Sequence, residues 1–165
     1  TGVLLVLALA LQAGVKMYTL KSPDGKVKLE VTAGQGIAYS LFYDGRLLLK
    51  PSRIALHTDL PEADHWENIR ITGTKQRHVS ETVQAPFYRV KEFGIDCNEL
   101  ELRLNNGFSL LMRAYNDGMA YRFVAGRKGE MTVVEERAEF NFADDFEAYL
   151  PYSTCLLYTS DAADE

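Results

Sequence analysis

The chain has 165 residues, with 18 Lys and Arg against 23 Asp and Glu, and its formal net charge is −5. This length suits one domain or a piece of a larger one. A content of 47% hydrophobic and 11% aromatic residues argues against global disorder. The acidic balance, without a basic cluster along the sequence, argues against nucleic acid and anionic membranes as partners.

The first residues form an apolar run, Val3–Leu11, that is too short to cross about 30 Å of hydrocarbon as a helix. It has the length of the hydrophobic region of a signal peptide, and small residues at Ala8, Ala10 and Ala13 offer cleavage sites. A basic segment before it is missing. The run is either a truncated signal peptide over residues 1–13 or a buried first element. Because no polar residue interrupts it, we favour the signal peptide, and we expect a periplasmic or secreted protein.

Strand patterns follow in chain order. Residues 27–33 alternate apolar and polar, residues 37–43 alternate after two glycines, and Asp44–Gly45 predicts a turn. A short strand at residues 47–49 is expected to end at Pro51. Residues 61–67 read as a loop. Further strand candidates lie at residues 68–72 and 75–83.

The second half gives stronger patterns. Residues 100–104 alternate, Asn105–Gly107 predicts a tight hairpin turn, and residues 108–112 continue on the return strand. A second turn at residues 116–118 precedes a strand at 119–123, with further candidates at 131–134 and 138–142. No long stretch combines apolar residues at helical spacing with residues that typically cap a helix. The sequence therefore predicts an all-β, antiparallel β-sandwich of about eight strands over residues 14–154.

The C-terminal residues 155–165 resemble the translated sequencing adapter that ends truncated reading frames. We interpret this tail as non-native rather than as a short acidic terminus, and we expect the natural protein to continue. Without Cys155, one native cysteine remains, Cys97, which we expect in the core.

No set of catalytic or metal-binding residues emerges from the spacing. His57, His65 and His78 do not have metal-ligand spacing, and neither a nucleophile elbow nor a phosphate-binding loop occurs. Asp44 and Asp117 read as turn residues. We expect the adjacent carboxylate pairs to be solvated surface residues rather than a catalytic pair, because neighbouring side chains on a strand point to opposite faces. These pairs are Glu135–Glu136 and Asp144–Asp145.

Aromatic residues could offer faces for stacking on sugars. At their alternating spacing, however, most are expected in the core. This set comprises Tyr39, Tyr43, Phe108, Tyr115, Tyr121 and Phe123. Trp66 lies in a loop, where it could stack on a sugar or plug an open end of the sandwich, and we favour the plug.

Several segments, taken in order, are similar to one family. They are Ser22–Lys26, Tyr39–Gly45 with Pro51–Ser52, Ser80–Thr82, Asn98–Leu100 and, most specifically, Arg113–Phe123. Together they resemble the N-terminal domain of glycoside hydrolase family 97, over about residues 18–151. Within the last segment, Arg113 and Arg122 flank a tight turn and could pair with carboxylates of neighbouring strands.

The resemblance implies an N-terminal β-super-sandwich of the galactose-mutarotase type, a (β/α)8 barrel that carries the catalytic carboxylates, and a small C-terminal β domain. It implies hydrolysis of terminal α-linked sugars, as in α-glucosidases and α-galactosidases, with calcium a possible cofactor of the full-length parent. No catalytic, metal or substrate residue of the family maps onto this chain. The fragment is expected to be a truncated, non-catalytic scaffold and pocket wall that packs on the barrel.

Two other functions remain open. The chain could be a stand-alone exported carbohydrate-binding module, for which Trp66 would be the first candidate platform. It could also be a structural β-sandwich of a cell-surface assembly, with a partner along an open sheet edge. The interrupted C-terminus favours the hydrolase fragment.

Overall fold

The computed structural model describes residues 16–87, 89–126 and 129–147. The predicted signal peptide at residues 1–13 and the predicted non-native tail at residues 155–165 lie outside the described residues. Within the described ranges, no helix has the length and hydrophobicity needed to cross a membrane.

The described residues form nine strands and no helix, which confirms the all-β prediction. The strands are β1 (Met17–Lys21), β2 (Val27–Gly34), β3 (Gly36–Tyr43), β4 (Arg46–Thr58), β5 (Ile71–Gln84), β6 (Glu92–Leu104), β7 (Phe108–Ala114), β8 (Met119–Ala125) and β9 (Val133–Ala138).

Two antiparallel sheets form a sandwich. The first has the strand order β1-β2-β3-β4-β9, and the second has the order β5-β6-β7-β8. Apart from β9, neighbours in the sheets are neighbours in sequence, which short turns make possible. Asp44 and Gly45 both have positive φ, at 48° and 79°, as a two-residue hairpin turn between β3 and β4 requires.

The core lies between the sheets, where alternate residues of each strand point inward. On β2, Val27, Leu29 and Val31 are buried, and on β7 Phe108, Leu110 and Met112 are buried. The intervening residues are only half-buried on these strands. The predicted period of two is therefore confirmed where the pattern was clearest.

Strand boundaries differ from prediction in five places, the first being β6, which begins at Glu92 rather than near residue 100. The strand that was expected to end at Pro51 runs on to Thr58, because an irregularity in the β3–β4 register accommodates Lys50 and Pro51. The candidate at residues 75–83 and the last two residues of the candidate at 68–72 belong to one strand, β5, which begins at Ile71. The two last candidates are replaced by β9 at Val133–Ala138. Strand β1 was not predicted.

Candidate functional site

Trp66 is a core residue and offers no open face to a sugar. Its side chain is 7% exposed, and its Nε1 donates a hydrogen bond to the Leu56 carbonyl oxygen at 3.0 Å. Its ring contacts Phe108 and Phe123 of the opposite sheet, at centroid distances of 5.9 Å and 5.2 Å. Of the two alternatives for Trp66, the structure supports the plug.

The loop that carries Trp66 is fixed to the β6–β7 turn. Asn106 Nδ2 donates to the Ala63 carbonyl oxygen at 3.2 Å, and the Arg70 amide donates to Asn105 Oδ1 at 2.9 Å. Ile69 is buried beside them. The loop is therefore part of the sandwich rather than a free binding loop.

The predicted core position is wrong for two aromatic residues. Tyr43 is 44% exposed at the end of β3. Tyr115 follows β7 on the face of the sheet that points away from the core, and it lines a surface depression of about 170 Å³ with Arg113 and Arg122. The other four residues of the set belong to the core cluster or pack against it: Tyr39, Phe108, Tyr121 and Phe123.

The three histidines lie on different elements: His57 is on β4, His65 is exposed on the loop that follows, and His78 is on β5. His57 Nδ1 lies 2.9 Å from Asp64 Oδ1 on the loop after β4. The two ring nitrogens of His78 lie near Asn98 and Asp96 of the paired strand. Among the described residues, no group of three or more His, Cys, Asp or Glu side chains has the arrangement of a metal site.

The adjacent carboxylates do not converge either. Glu136 Oε1 accepts a hydrogen bond from the Tyr121 hydroxyl at 3.0 Å, while Glu135 occupies the neighbouring position of the exposed strand β9. Asp144 forms an exposed ion pair with Arg46 at 3.3 Å. These carboxylates lie on the surface, as predicted.

The structure instead brings together a cluster of charged side chains that no sequence motif predicts. Glu99 on β6 is 4% exposed, and it faces Arg77 on β5 and Arg113 on β7 in the sheet register. Arg77 Nε donates to Glu99 Oε1 at 2.7 Å, and Arg113 Nε donates to Glu99 Oε2 at 2.8 Å. Both carboxylate oxygens are therefore bound by cations.

Electrostatics keep this cluster charged. Burial by itself would raise the pKa of the Glu99 carboxyl, but the hydrogen bonds and charges of Arg77 and Arg113 outweigh it and hold that pKa below its ordinary value. Glu99, and then Tyr115, raise the pKa of Arg113. A carboxylate that is ionised and bound on both oxygens is poorly suited to act as a general acid. The cluster fits a structural role across three strands.

Sequence reasoning identified Arg113 as a partner for a carboxylate but missed the carboxylate itself. Glu99 is far from both arginines in sequence, and only the register places it between them. The alternation along β6 was the available signal. Leu100, Leu102 and Leu104 occupy the core face, so it places Glu99 on the opposite face of the sheet. For Arg122, the other arginine of that segment, no ion pair occurs within the part of the chain that the structure describes.

Comparison with known proteins identifies the fold. Residues 20–163 match the family model described as "Glycosyl-hydrolase 97 N-terminal". A "Retaining alpha-galactosidase" of Bacteroides thetaiotaomicron is 40% identical over 145 residues, which is 87% of this chain and 22% of that protein. A "Probable retaining alpha-galactosidase" of Streptomyces bingchenggensis is 27% identical over 132 residues, 78% of this chain and 20% of that protein.

Solved structures have the same fold. A β-arabinopyranosidase superimposes with a TM-score of 0.67 at 25% identity, over 76% of this chain and 21% of that one. A Glycoside Hydrolase Family 97 enzyme from Pseudoalteromonas sp. strain K8, in complex with panose, gives 0.63 at 19% identity, over 77% and 20%. The chain thus spans 22% and 20% of the length of the two curated relatives.

Proposed function

This chain belongs to the Glycosyl-hydrolase 97 N-terminal family, and we propose that it serves as the non-catalytic scaffold and pocket wall of an exported enzyme that hydrolyses terminal α-linked sugars. The family match over residues 20–163 is the observation that carries the proposal. The most buried carboxylate of the described residues, Glu99, is held by two arginines, which agrees with a scaffold. Glycoside hydrolysis needs a pair of carboxyl groups at a defined separation.

We propose α-galactosides as the first substrate class to test. Both curated relatives are named as retaining α-galactosidases, and the one from Bacteroides is 40% identical to this chain. In this proposal the two catalytic carboxyl groups lie on a (β/α)8 barrel in the rest of the enzyme, on which this domain packs. Barrel enzymes place their chemistry at one end of the barrel, where an adjoining domain can wall the pocket. A calcium ion, if the parent uses one, would bind outside this chain.

The experiment compares three proteins on nitrophenyl α-galactoside and α-glucoside. They are this chain by itself, the Bacteroides enzyme without the segment that matches this chain, and a hybrid in which this chain replaces that segment. We expect no turnover by the chain, loss of activity in the shortened enzyme, and recovery in the hybrid, with galactoside preferred. Turnover by the chain at glycosidase rates would contradict the scaffold role.

Export is a separate proposal, supported by the apolar run Val3–Leu11. Residues 1–20, preceded by Met-Lys-Lys, would be fused to alkaline phosphatase, which becomes active only after export from the bacterial cytoplasm. We expect activity from this fusion and none from the matched fusion that carries Leu5→Arg and Leu7→Arg. Equal activity from the two fusions would contradict the signal peptide.

A further inference from the structure

The register of the four-stranded sheet aligns outward-pointing side chains of β5, β6, β7 and β8 in rows. Because the leucines of β6 point into the core, the residues between them point away from it. Pairing extends this alternation to the neighbouring strands and gives three rows across the sheet. The rows are Gly73, Arg103, Ser109 and Val124; Lys75, Glu101, Leu111 and Arg122; and Arg77, Glu99, Arg113 and Ala120. We call these three rows the outer patch.

The outer patch is cationic, although the whole chain has a net charge of −5. Five of its residues are positive and two are negative, which leaves +3 on the patch and −8 on the rest of the chain. The positive residues are Lys75, Arg77, Arg103, Arg113 and Arg122, and the negative ones are Glu99 and Glu101. They are dispersed over residues 75–122, so no basic cluster is visible along the sequence. The average charge of the chain therefore does not describe this face.

Three of the five cations have no carboxylate partner within the part of the chain that the structure describes. They are Lys75, Arg103 and Arg122, and all three side chains are exposed. The other two cations share Glu99. An anion can therefore bind three cations on this face without first breaking an ion pair.

Two shallow depressions lie between the cations. One, of about 170 Å³, is lined by Arg113, Tyr115 and Arg122, and the other, of about 210 Å³, is lined by Lys75. Leu111 lines both, so the two depressions adjoin. Lys75 and Arg122 belong to the same row at its two ends, three strand spacings or about 14 Å apart. This distance suits an extended molecule with several charged groups better than a single small anion.

The chemistry of the cations favours carboxylate and sulfate groups. A guanidinium can donate two parallel hydrogen bonds to the oxygens of such a group. The guanidinium of Arg103 lies over the backbone of β5, since a Cβ atom at Gly73 would be 2.6 Å from its Nη2. Part of its position is therefore fixed before an anion binds.

We propose that the outer patch binds an acidic polysaccharide, with its carboxylate or sulfate groups bound by Arg122 on one side and by Lys75 and Arg103 on the other. Clusters of basic side chains bind acidic polysaccharides such as heparin through charge. The choice of a carbohydrate over other polyanions rests on the proposed function, because an enzyme that acts on sugars meets polysaccharides. The contact is separate from the proposed α-linked substrate, whose hydrolysis belongs to the barrel.

The composition of the outer patch argues against three other partners. Protein interfaces centre on large apolar or aromatic anchors, whereas the middle of this patch holds Ser109, Leu111 and Ala120. Single-stranded nucleic acids stack their bases on aromatic rings, and the three rows contain no aromatic residue. In a symmetric dimer the patch would meet itself, and its positive charges would repel each other.

The test measures binding of polygalacturonate, dextran sulfate and neutral dextran by affinity electrophoresis and titration calorimetry. The variant combines Lys75→Gln with Arg122→Gln. The matched control combines Lys50→Gln with Arg53→Gln, an exposed lysine and an exposed arginine on β4 of the other sheet. Both double variants remove two positive charges from exposed positions, so neither should shift the Tm appreciably.

We expect the chain to bind at least one of the two acidic polysaccharides but not dextran, with an affinity that falls as salt is added. A preference for polygalacturonate assigns carboxylate, and a preference for dextran sulfate assigns sulfate. The double variant of Lys75 and Arg122 should lower this affinity about fivefold or more, the size expected for the loss of two exposed charge contacts. The control should lower it less than about twofold. The hybrid with the Bacteroides enzyme should give the same difference.

Other results would overturn the proposal. They are failure to bind either acidic polysaccharide, equal binding of dextran, equal losses in the two double variants, or a single-stranded oligonucleotide bound as tightly as the polysaccharides. Binding by the isolated chain that is lost in the hybrid would also overturn it, because the patch would then be covered in the enzyme. Binding is measured without hydrolysis. An inactive hybrid that still binds would refute the proposed function and leave the patch intact, and an active hybrid that does not bind would do the reverse.

Discussion

At the scale of single residues, burial and partners decide which side chains could act chemically. Glu99 would attract attention as a buried carboxylate, but both of its oxygens are bound by arginines. Trp66 would suit a sugar platform, but it is enclosed by rings of the opposite sheet. Both residues stabilise the sandwich, and neither is available to a substrate.

The Glu99 cluster predicts a pH-dependent stability. We expect Glu99→Gln to lower the free energy of unfolding by about 2 kcal/mol at neutral pH, because it weakens two charge-assisted hydrogen bonds at a buried site. The folded-state pKa of Glu99 lies below 4.5, its ordinary value. The stabilisation is therefore present above that value and is lost as the pH falls through the lower, folded-state pKa.

Urea unfolding at a series of pH values measures this difference. Glu101→Gln is the matched control, since Glu101 lies on the same face of the same strand and no ion pair of its side chain is seen in the described ranges. Its effect should stay within about 0.5 kcal/mol. A Glu99→Gln effect that persists unchanged at acid pH would contradict the assigned ionisation.

At the scale of elements, turns and close backbone contacts hold the hairpins in register. The Gly126 amide, just after β8, donates to the Gly107 carbonyl oxygen at 2.9 Å. A Cβ atom at Gly126 would lie 2.9 Å from that same oxygen, so backbone would have to shift. Gly107 itself has a φ of 86° in the β6–β7 turn, a conformation that favours glycine.

We expect Gly126→Ala to cost about 1–2 kcal/mol of stability, because the contact is with backbone rather than with a movable side chain. Gly94→Ala is the control, since a Cβ atom there would enter open space on strand β6. Gly94→Ala should be neutral or slightly stabilising. Thermal unfolding of the two variants checks this, and similar losses in both would contradict the backbone contact at Gly126.

The elements also show why the length of the β5–β6 hairpin was not predicted. Residues 75–83 were a strand candidate, but no strand was predicted for their pairing partner at residues 92–97, which contains Gly94 and Asp96. The pattern of apolar residues in a strand predicts which side chains are buried, but it does not predict how far the strand pairs with each of its neighbours. The long hairpin, with Val79 opposite Cys97 and Val83 opposite Phe93, emerges only from the register between β5 and β6.

At the scale of the whole molecule, the two sheets share one core. Trp66, on the loop between β4 and β5, contacts Phe108 and Phe123 of the four-stranded sheet. Tyr39 of β3 contacts Tyr121 of β8 at a centroid distance of 6.2 Å. Neither sheet can lose its partner without exposing these rings, so the sandwich should unfold as one unit.

Trp66 is the single tryptophan of the chain and reports directly on the interface between the sheets. We expect its fluorescence and the far-ultraviolet circular dichroism to give coincident denaturation curves, with a blue-shifted emission in the folded state. Tyr43→Ala, which removes an exposed ring, should leave both curves in place. A fluorescence transition that precedes the loss of strand signal would contradict a shared core.

The sequence by itself determined the class of the fold, because a period of two at residues 27–33, 37–43 and 100–104 fixes which faces are buried. It also determined the tightest turns, at Asp44–Gly45 and Asn105–Gly107, because few residues accept positive φ. Tertiary structure alone decided that Trp66 is enclosed and that Glu99 meets two arginines from other strands. The physical reason is that strand patterns encode local burial, whereas partners across a sheet depend on register and long-range pairing.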